Sequence, residues 1–149
     1  MTLWHEERLL IDGDLVAAER GATFETLNPS TGEVLGTAAD ASPADVDRAI
    51  AAARRAFDTT SWSTDTEFRV RCLRQLHQAL VDHRAELQAL LVAEVGAPLM
   101  LTEGPQLDTP VGMVAWYADL LEKYEFREGL GLAEFRGQMH DRWVEKEAV

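Results

Sequence analysis

The stretch from Phe24 to Phe57, FETLNPSTGEVLGTAADASPADVDRAIAAARRAF, constrains the fold more than any other part of the chain. A β-prone run, a tight turn, a second β-prone run and an alanine-rich helix follow one another with little slack. In the turn, Pro29 presets φ, Asn28 can accept from its own backbone ahead, and Gly32 can turn left-handed. Thr23 to Leu27 and Glu33 to Ala38 are therefore predicted as its flanking strands. Ser42-Pro43-Ala44-Asp45 then combines an N-cap hydroxyl, a proline at the first helical position and an acid three residues after the cap, so a helix is predicted from Pro43. Val46, Ala49, Ile50, Ala53 and Phe57 recur at helical spacing and predict its apolar face. The small alanines allow a neighbouring element to approach closely. No metal ligand set or charged cluster lies in the stretch, so its pattern serves backbone geometry and packing.

The same reasoning extends in both directions. Upstream, two apolar runs flank Asp12-Gly13, a pair suited to positive φ at both turn positions, and predict a β-hairpin. Downstream, Thr64-x-x-Glu67 predicts a second capping box, followed by the stripe Val70, Leu73, Leu76 and Leu80. A third helix is predicted with Asp82 as its cap, Leu87, Leu90, Leu91 and Val95 inward, and Gly96 and Pro98 as its stop. Thr109 with Pro110 predicts the start of a fourth, with Val111, Val114, Ala118 and Leu121 inward. Beyond Phe126, glycines at 129, 131 and 137 interrupt helical continuity. The segment from Gln138 onward is strand-like with charges on both faces, and such a strand requires a neighbour.

At 149 residues and 46% hydrophobic content the chain suits one globular domain, which would bury about 68–70% of its unfolded surface. The formal net charge of -12, with no lysine or arginine stripe against it, excludes a nucleic-acid partner. No run approaches the ~18–20 apolar residues of a membrane span, and charges occupy the place where a signal peptide needs its apolar segment. A cytoplasmic location is expected.

Candidate reactive groups are few. Cys72, the one cysteine, rules out an internal disulfide framework; it lies on the stripe of Leu73, Leu76 and Leu80 and reads as a small buried hydrophobe rather than a nucleophile. His5, His77, His83 and His140 are too scattered for a metal-binding helix, although His77 and His83 could meet across a helix break. Gly129-x-Gly131 lacks the third glycine of a dinucleotide fingerprint, and Asn28-Pro29-Ser30 is barred as a glycan acceptor by its proline. The pairs Glu6-Glu7 and Glu145/Glu147 read as solvated charge, and Trp62, Trp116 and Trp143 as packing anchors. From chemistry alone the sequence shows no active site.

Several of these segments together resemble the amino-terminal part of the aldehyde dehydrogenase superfamily, over about Leu9 to Val149. The marks are the Asp12-Gly13 hairpin, Asn28-Pro29-x-x-Gly32-Glu33, the alanine helix ending Ala56-Phe57 before Trp62, and Glu94-x-Gly96-x-Pro98. The resemblance implies an α/β fragment: N-terminal β-hairpins plus amphipathic helices from the outer part of a Rossmann-like cofactor domain, ending in an oligomerisation-type strand. It assigns residues 1–126 to the cofactor domain and 127–149 to the start of a bridging segment.

The activity implied is NAD(P)-dependent oxidation of an aldehyde to a carboxylic acid in the complete enzyme. There a cysteine thiolate attacks the aldehyde, hydride passes to the nicotinamide, a glutamate activates water, and an asparagine amide with a backbone amide stabilises the oxyanion. The resemblance puts that asparagine in a Pro-Trp-Asn motif beyond Val149, with the remaining groups later still. Cys72 does not match the nucleophile's motif. No catalytic or cofactor-binding residue is therefore expected in this chain, and no cofactor is expected on it alone. Asp108 is carried over as a ligand to a monovalent cation, beside the plain reading of an acid favoured by a helix N-terminus. The partners implied are the remainder of an aldehyde dehydrogenase or homologous subunits, in an oligomer. The alternative is a non-catalytic interaction module that associates with full-length subunits.

Overall fold

The computed structural model describes residues 4–148. Strand β1 (Trp4–Glu6) leads into the hairpin of β2 (Arg8–Ile11) and β3 (Asp14–Ala17). Its turn is Asp12-Gly13, with φ of 59° and 86°; positive φ at both central residues matches the right-handed twist of the strands. Strands β4 (Thr23–Leu27) and β5 (Val34–Ala39) flank the Asn28 turn, where the Gly32 amide donates to Asn28 O at 2.7 Å. β5 is central in a three-stranded sheet, antiparallel to β4 and parallel to β1.

Helix α1 (Pro43–Thr59) starts where the sequence predicts, with both halves of the Ser42/Asp45 capping box formed. Asp45 does more than cap. Its Oδ2 accepts from the Ser42 amide and from the Glu19 amide, each at 2.9 Å, and Arg48 pairs with Oδ1. The residue is 1% exposed. It thus ties the 3₁₀ turn at Glu19–Gly21 to the start of the helix. The backbone amides of Glu19 and Ser42, with Arg48 adding, hold its carboxyl far below the ordinary range against the opposing effect of burial.

Helix α2 (Thr66–Asp82) is capped by Asp65, whose Oδ1 accepts from the Phe68 amide at 2.8 Å. Thr64 is not the cap; the chain makes a 3₁₀ turn over Ser61–Ser63 and enters the helix one residue later. Helix α3 (Arg84–Val95) follows with His83 at its cap and no capping side chain. Asp82 instead ends α2 and accepts from Gln78 Nε2 at 2.8 Å. Gly96 closes α3 in the left-handed conformation, φ 69°. A short helix α4 (Leu99–Thr102), too brief to show a period in the sequence, comes before α5 (Asp108–Glu122). Leu107 rather than Thr109 occupies the cap of α5; the Thr109 amide donates to Gly104 O at 2.8 Å, so the Gly104 turn sets where the helix begins.

The chain ends in a two-stranded ribbon, β6 (Arg127–Phe135) and β7 (Gln138–Glu145), turned at Arg136-Gly137 with φ of 52° and 79°. β6 is the neighbour that the two-faced polar strand requires.

Among the described residues the buried hydrophobic core is small: Ala18, Leu35, Ala52, Val70, Ala97, Leu107 and Ala118. Helix α2 packs on α5, where Arg74 bridges to Asp119 at 2.7 Å and Glu122 at 3.0 Å. Helix α1 meets the β2–β3 hairpin through its alanines, and Arg55 reaches Asp12 at 2.7 Å. The predicted stripe of α1 is nonetheless largely uncovered. Val46 is 47% and Ile50 61% exposed, because the hairpin covers only the alanine side of the helix.

Candidate functional site

The candidate reactive residues do not converge. Among the described residues no group of three or more His, Cys, Asp or Glu side chains is arranged to hold a metal ion. Cys72 is half-buried rather than buried, since α5 covers only one flank of α2. His83 pairs with Glu86 of its own helix at 3.0 Å, and His5 bonds Thr37 across the β1–β5 pair at 2.7 Å. His140 stacks edge-on to Phe135 in the terminal ribbon. Gly129 and Gly131 flank a β-bulge in β6, with Leu130 as the unpaired residue, far from any strand-to-helix turn. Trp62 packs edge-on against Phe68, Trp116 against Tyr117, and Trp143 lies under the Arg127 guanidinium at 4.4 Å.

Asp108 is the first residue of α5, and both its oxygens are engaged by one guanidinium. Arg84 Nε donates to Oδ1 at 2.7 Å and Nη2 to Oδ2 at 2.8 Å. This forked pair ties the start of α3 to the start of α5, and the Arg84 hydrogen bonds hold the Asp108 carboxyl below its ordinary range. The carried-over position is therefore an ion-pair position in this structure.

Two of the sequence marks that are far apart in the chain meet in space. A Cβ on Gly96 would lie 3.1 Å from Pro29 Cγ. The proline of the Asn28 turn thus sits directly on the C-terminal stop of α3, and a side chain at 96 would have to push its ring back by a few tenths of an ångström. The Asn28 turn and the end of helix α3 are in van der Waals contact at this point.

What the molecule presents is surface. Its accessible area is 10824 Å², against about 7,600 Å² for a compact monomer of 16.6 kDa. The excess is roughly 3,200 Å² on the same scaling, and large apolar side chains contribute to it: Leu99 and Met100 are 58% and 74% exposed, Leu132 and Phe135 67% and 64%. In β7 every residue is exposed. Monomers rarely leave contiguous apolar patches of more than a few hundred Å² uncovered.

The family model for the aldehyde dehydrogenase family matches residues 15–143. The chain belongs to the aldehyde dehydrogenase family. Among curated relatives, the Bacillus subtilis (strain 168) protein DhaS is 38% identical over 113 residues, 75% of this chain and 23% of that protein. Aminoacetaldehyde dehydrogenase of Pseudomonas aeruginosa is 34% identical over 123 residues, 82% of this chain and 25% of that enzyme. The crystal structure of Mycobacterium tuberculosis aldehyde dehydrogenase complexed with NAD+ matches with a TM-score of 0.80 at 27% identity, over 87% of this chain and 27% of that one. The chain thus spans about a quarter of the length of the curated relatives it matches, and its strands and helices form an α/β arrangement that resembles the aldehyde dehydrogenase fold. No helix among the described residues is long and apolar enough to cross a membrane.

Proposed function

We propose that these residues are the outer strands and covering helices of the Rossmann-like cofactor domain of a cytoplasmic aldehyde dehydrogenase. In the complete enzyme they support NAD- or NADP-dependent oxidation of an aldehyde to an acid; the 149-residue chain alone neither binds the cofactor nor turns over. Residues 1–126 belong to the cofactor domain and 127–149 to the bridging segment. The observation that carries the reading is the roughly 3,200 Å² of surplus surface, whose apolar share is the face a central sheet and neighbouring domains would cover. Purified chain is expected to form no NAD(P)H with a panel of aldehydes. Turnover that disappears in Cys72→Ser would overturn the reading.

A second reading is favoured by the terminal ribbon, in which both outer edges are free of other strands among the described residues and Leu132, Met139 and Trp143 are at least half or nearly half exposed. Here the chain pairs through β7 with full-length subunits and alters their assembly. Co-purification with an intact aldehyde dehydrogenase supports it, and absence of association at micromolar concentration removes it.

A cation role for Asp108 belongs to the first reading and carries a condition. The residues present do not by themselves make a cation site, because Arg84 holds both oxygens, so an ion must bind with that pair intact and rely on backbone carbonyls. A melting temperature raised by potassium or sodium over choline, and lost in Asp108→Asn, is the expected sign. Equal melting in all three salts removes the role.

A further inference from the structure

The start of α2, the link after α5 and the residues after β7 border an open cleft of about 430 Å³ lined by Ser63, Thr64, Thr66, Arg69, Phe126 and Lys146, with Glu147 as its one carboxylate. An adjoining hollow of about 310 Å³ shares Arg69 and Phe126, and is otherwise walled by Leu73, Tyr117, Leu120, Leu121 and Tyr124. One compartment is cationic and hydroxyl-rich, the other apolar, and Arg69 stands at their junction.

Arg69 is the anomaly. Arg8, Arg48, Arg54, Arg55, Arg74 and Arg84 each have a carboxylate partner, and every other described arginine without one except Arg69 is exposed. Half-buried Arg69 has none among the described residues, in a chain with 26 acids. Its Nη2 donates to Thr66 Oγ1 at 3.2 Å, its guanidinium faces the Phe126 ring at 5.6 Å, and its Nε is out of solvent with no acceptor. A desolvated guanidinium donor without a partner is costly and calls for an acceptor. Lys146 faces the same cleft. Its Nζ donates one hydrogen to the Tyr124 hydroxyl at 2.6 Å, leaving two free, and its backbone amide is fixed to Phe126 O at 2.9 Å.

We propose that the two compartments form one binding site for an amphipathic monocarboxylate. The carboxylate takes the remaining guanidinium N–H groups of Arg69 and the Lys146 ammonium, with the Ser63, Thr64 and Thr66 hydroxyls as further donors. The hydrocarbon chain lies along Leu73, Tyr117, Leu120 and Leu121. A single negative charge is favoured over a phosphate dianion, because Glu147 in the lining and Glu128 beside Lys146 already offset part of the positive charge. The volumes are those of ordinary small-ligand pockets. All of its lining residues lie in this chain, so its test is separate from that of the cofactor-domain reading.

Calorimetric titration of the chain with sodium octanoate below its micellar range tests the assignment. Saturable one-to-one binding is expected, with hexanoate about fifteenfold weaker, since each of its two missing methylenes is worth about fourfold. Octanol and acetate should not saturate. Arg69→Gln should weaken octanoate about tenfold or more and Lys146→Gln about threefold or more; Arg71→Gln, which lies outside both compartments, should leave it unchanged. If Arg69→Gln loses its helical circular dichroism, Lys146→Gln, at an exposed position, decides alone. Octanol binding as well as octanoate, unchanged affinity in Lys146→Gln and Arg69→Gln, or a self-associated form that excludes octanoate each overturns the proposal.

Discussion

Replacing Gly96 with alanine separates two costs that the structure places on one atom. The first is conformational: φ at this position is 69°, and a residue with a Cβ pays about 1 kcal/mol in the left-handed region. The second is steric. The new methyl would stand 3.1 Å from Pro29 Cγ, and the ring must give by a few tenths of an ångström while the turn it belongs to is held by the Asn28–Gly32 hydrogen bond. Overpacking of this kind adds about 0.5–1 kcal/mol, at or just below the usual range of about 1–3 kcal/mol for inserted methylenes, because the contact is short by only a few tenths of an ångström. Gly96→Ala should therefore destabilise by about 1.5–2 kcal/mol, a fall in melting temperature of about 4–7 °C for a chain of this length. Urea unfolding followed by far-UV circular dichroism measures it. Pro29→Ala in the same background should return about 0.5–1 kcal/mol as a coupling energy, whereas Gly96→Asn should keep the steric part and lose much of the conformational one. A Gly96→Ala variant within about 0.5 kcal/mol of the parent, or a coupling near zero, would refute the contact between the Asn28 turn and the end of α3.

Three other outcomes are expected. The Asp45 carboxyl is depressed in the folded state by the Glu19 and Ser42 amides, so its contribution to stability is complete above the ordinary Asp pKa of about 3.9 and declines as pH falls below it; Asp45→Asn should flatten the acid limb of the stability profile, and an unaltered limb contradicts the assignment. Ser42→Ala, which removes the hydroxyl bonded to the Asp45 amide at 3.2 Å, should cost about 1 kcal/mol in the same urea assay. The chain buries roughly 55% of its unfolded surface where a compact domain of its size buries about 69%, so its urea m-value should be about a fifth below the size expectation; an m-value at that expectation, together with no binding of a hydrophobic dye, contradicts an open apolar face.

Local punctuation was legible in the residues themselves. The Asp12-Gly13 hairpin, the Asn28 turn, the Ser42 capping box and the left-handed Gly96 all follow from hydrogen-bonding reach and allowed φ within a few residues, and the chain adopts each of them. The starts of α2, α3 and α5 were misplaced by one or two residues, because Ser, Thr and Asp near a helix start compete for one role, and neighbouring turns at Ser61 and Gly104 choose among them. Arg84 is an ordinary exposed-helix residue until α3 and α5 are brought side by side and it takes Asp108. Arg69 likewise reads as solvated polar surface until Phe126 and Lys146 close over it.

By itself the sequence determined where the chain turns and where its helices stop, together with the family to which those signals belong. Only the tertiary structure decided which apolar stripes are covered, since an amphipathic pattern states that a face must be buried but not by what. Ile50 and Leu132 carry the hydrophobicity of core residues and remain 61% and 67% exposed. Periodicity is a property of one segment, whereas burial is a relation between two.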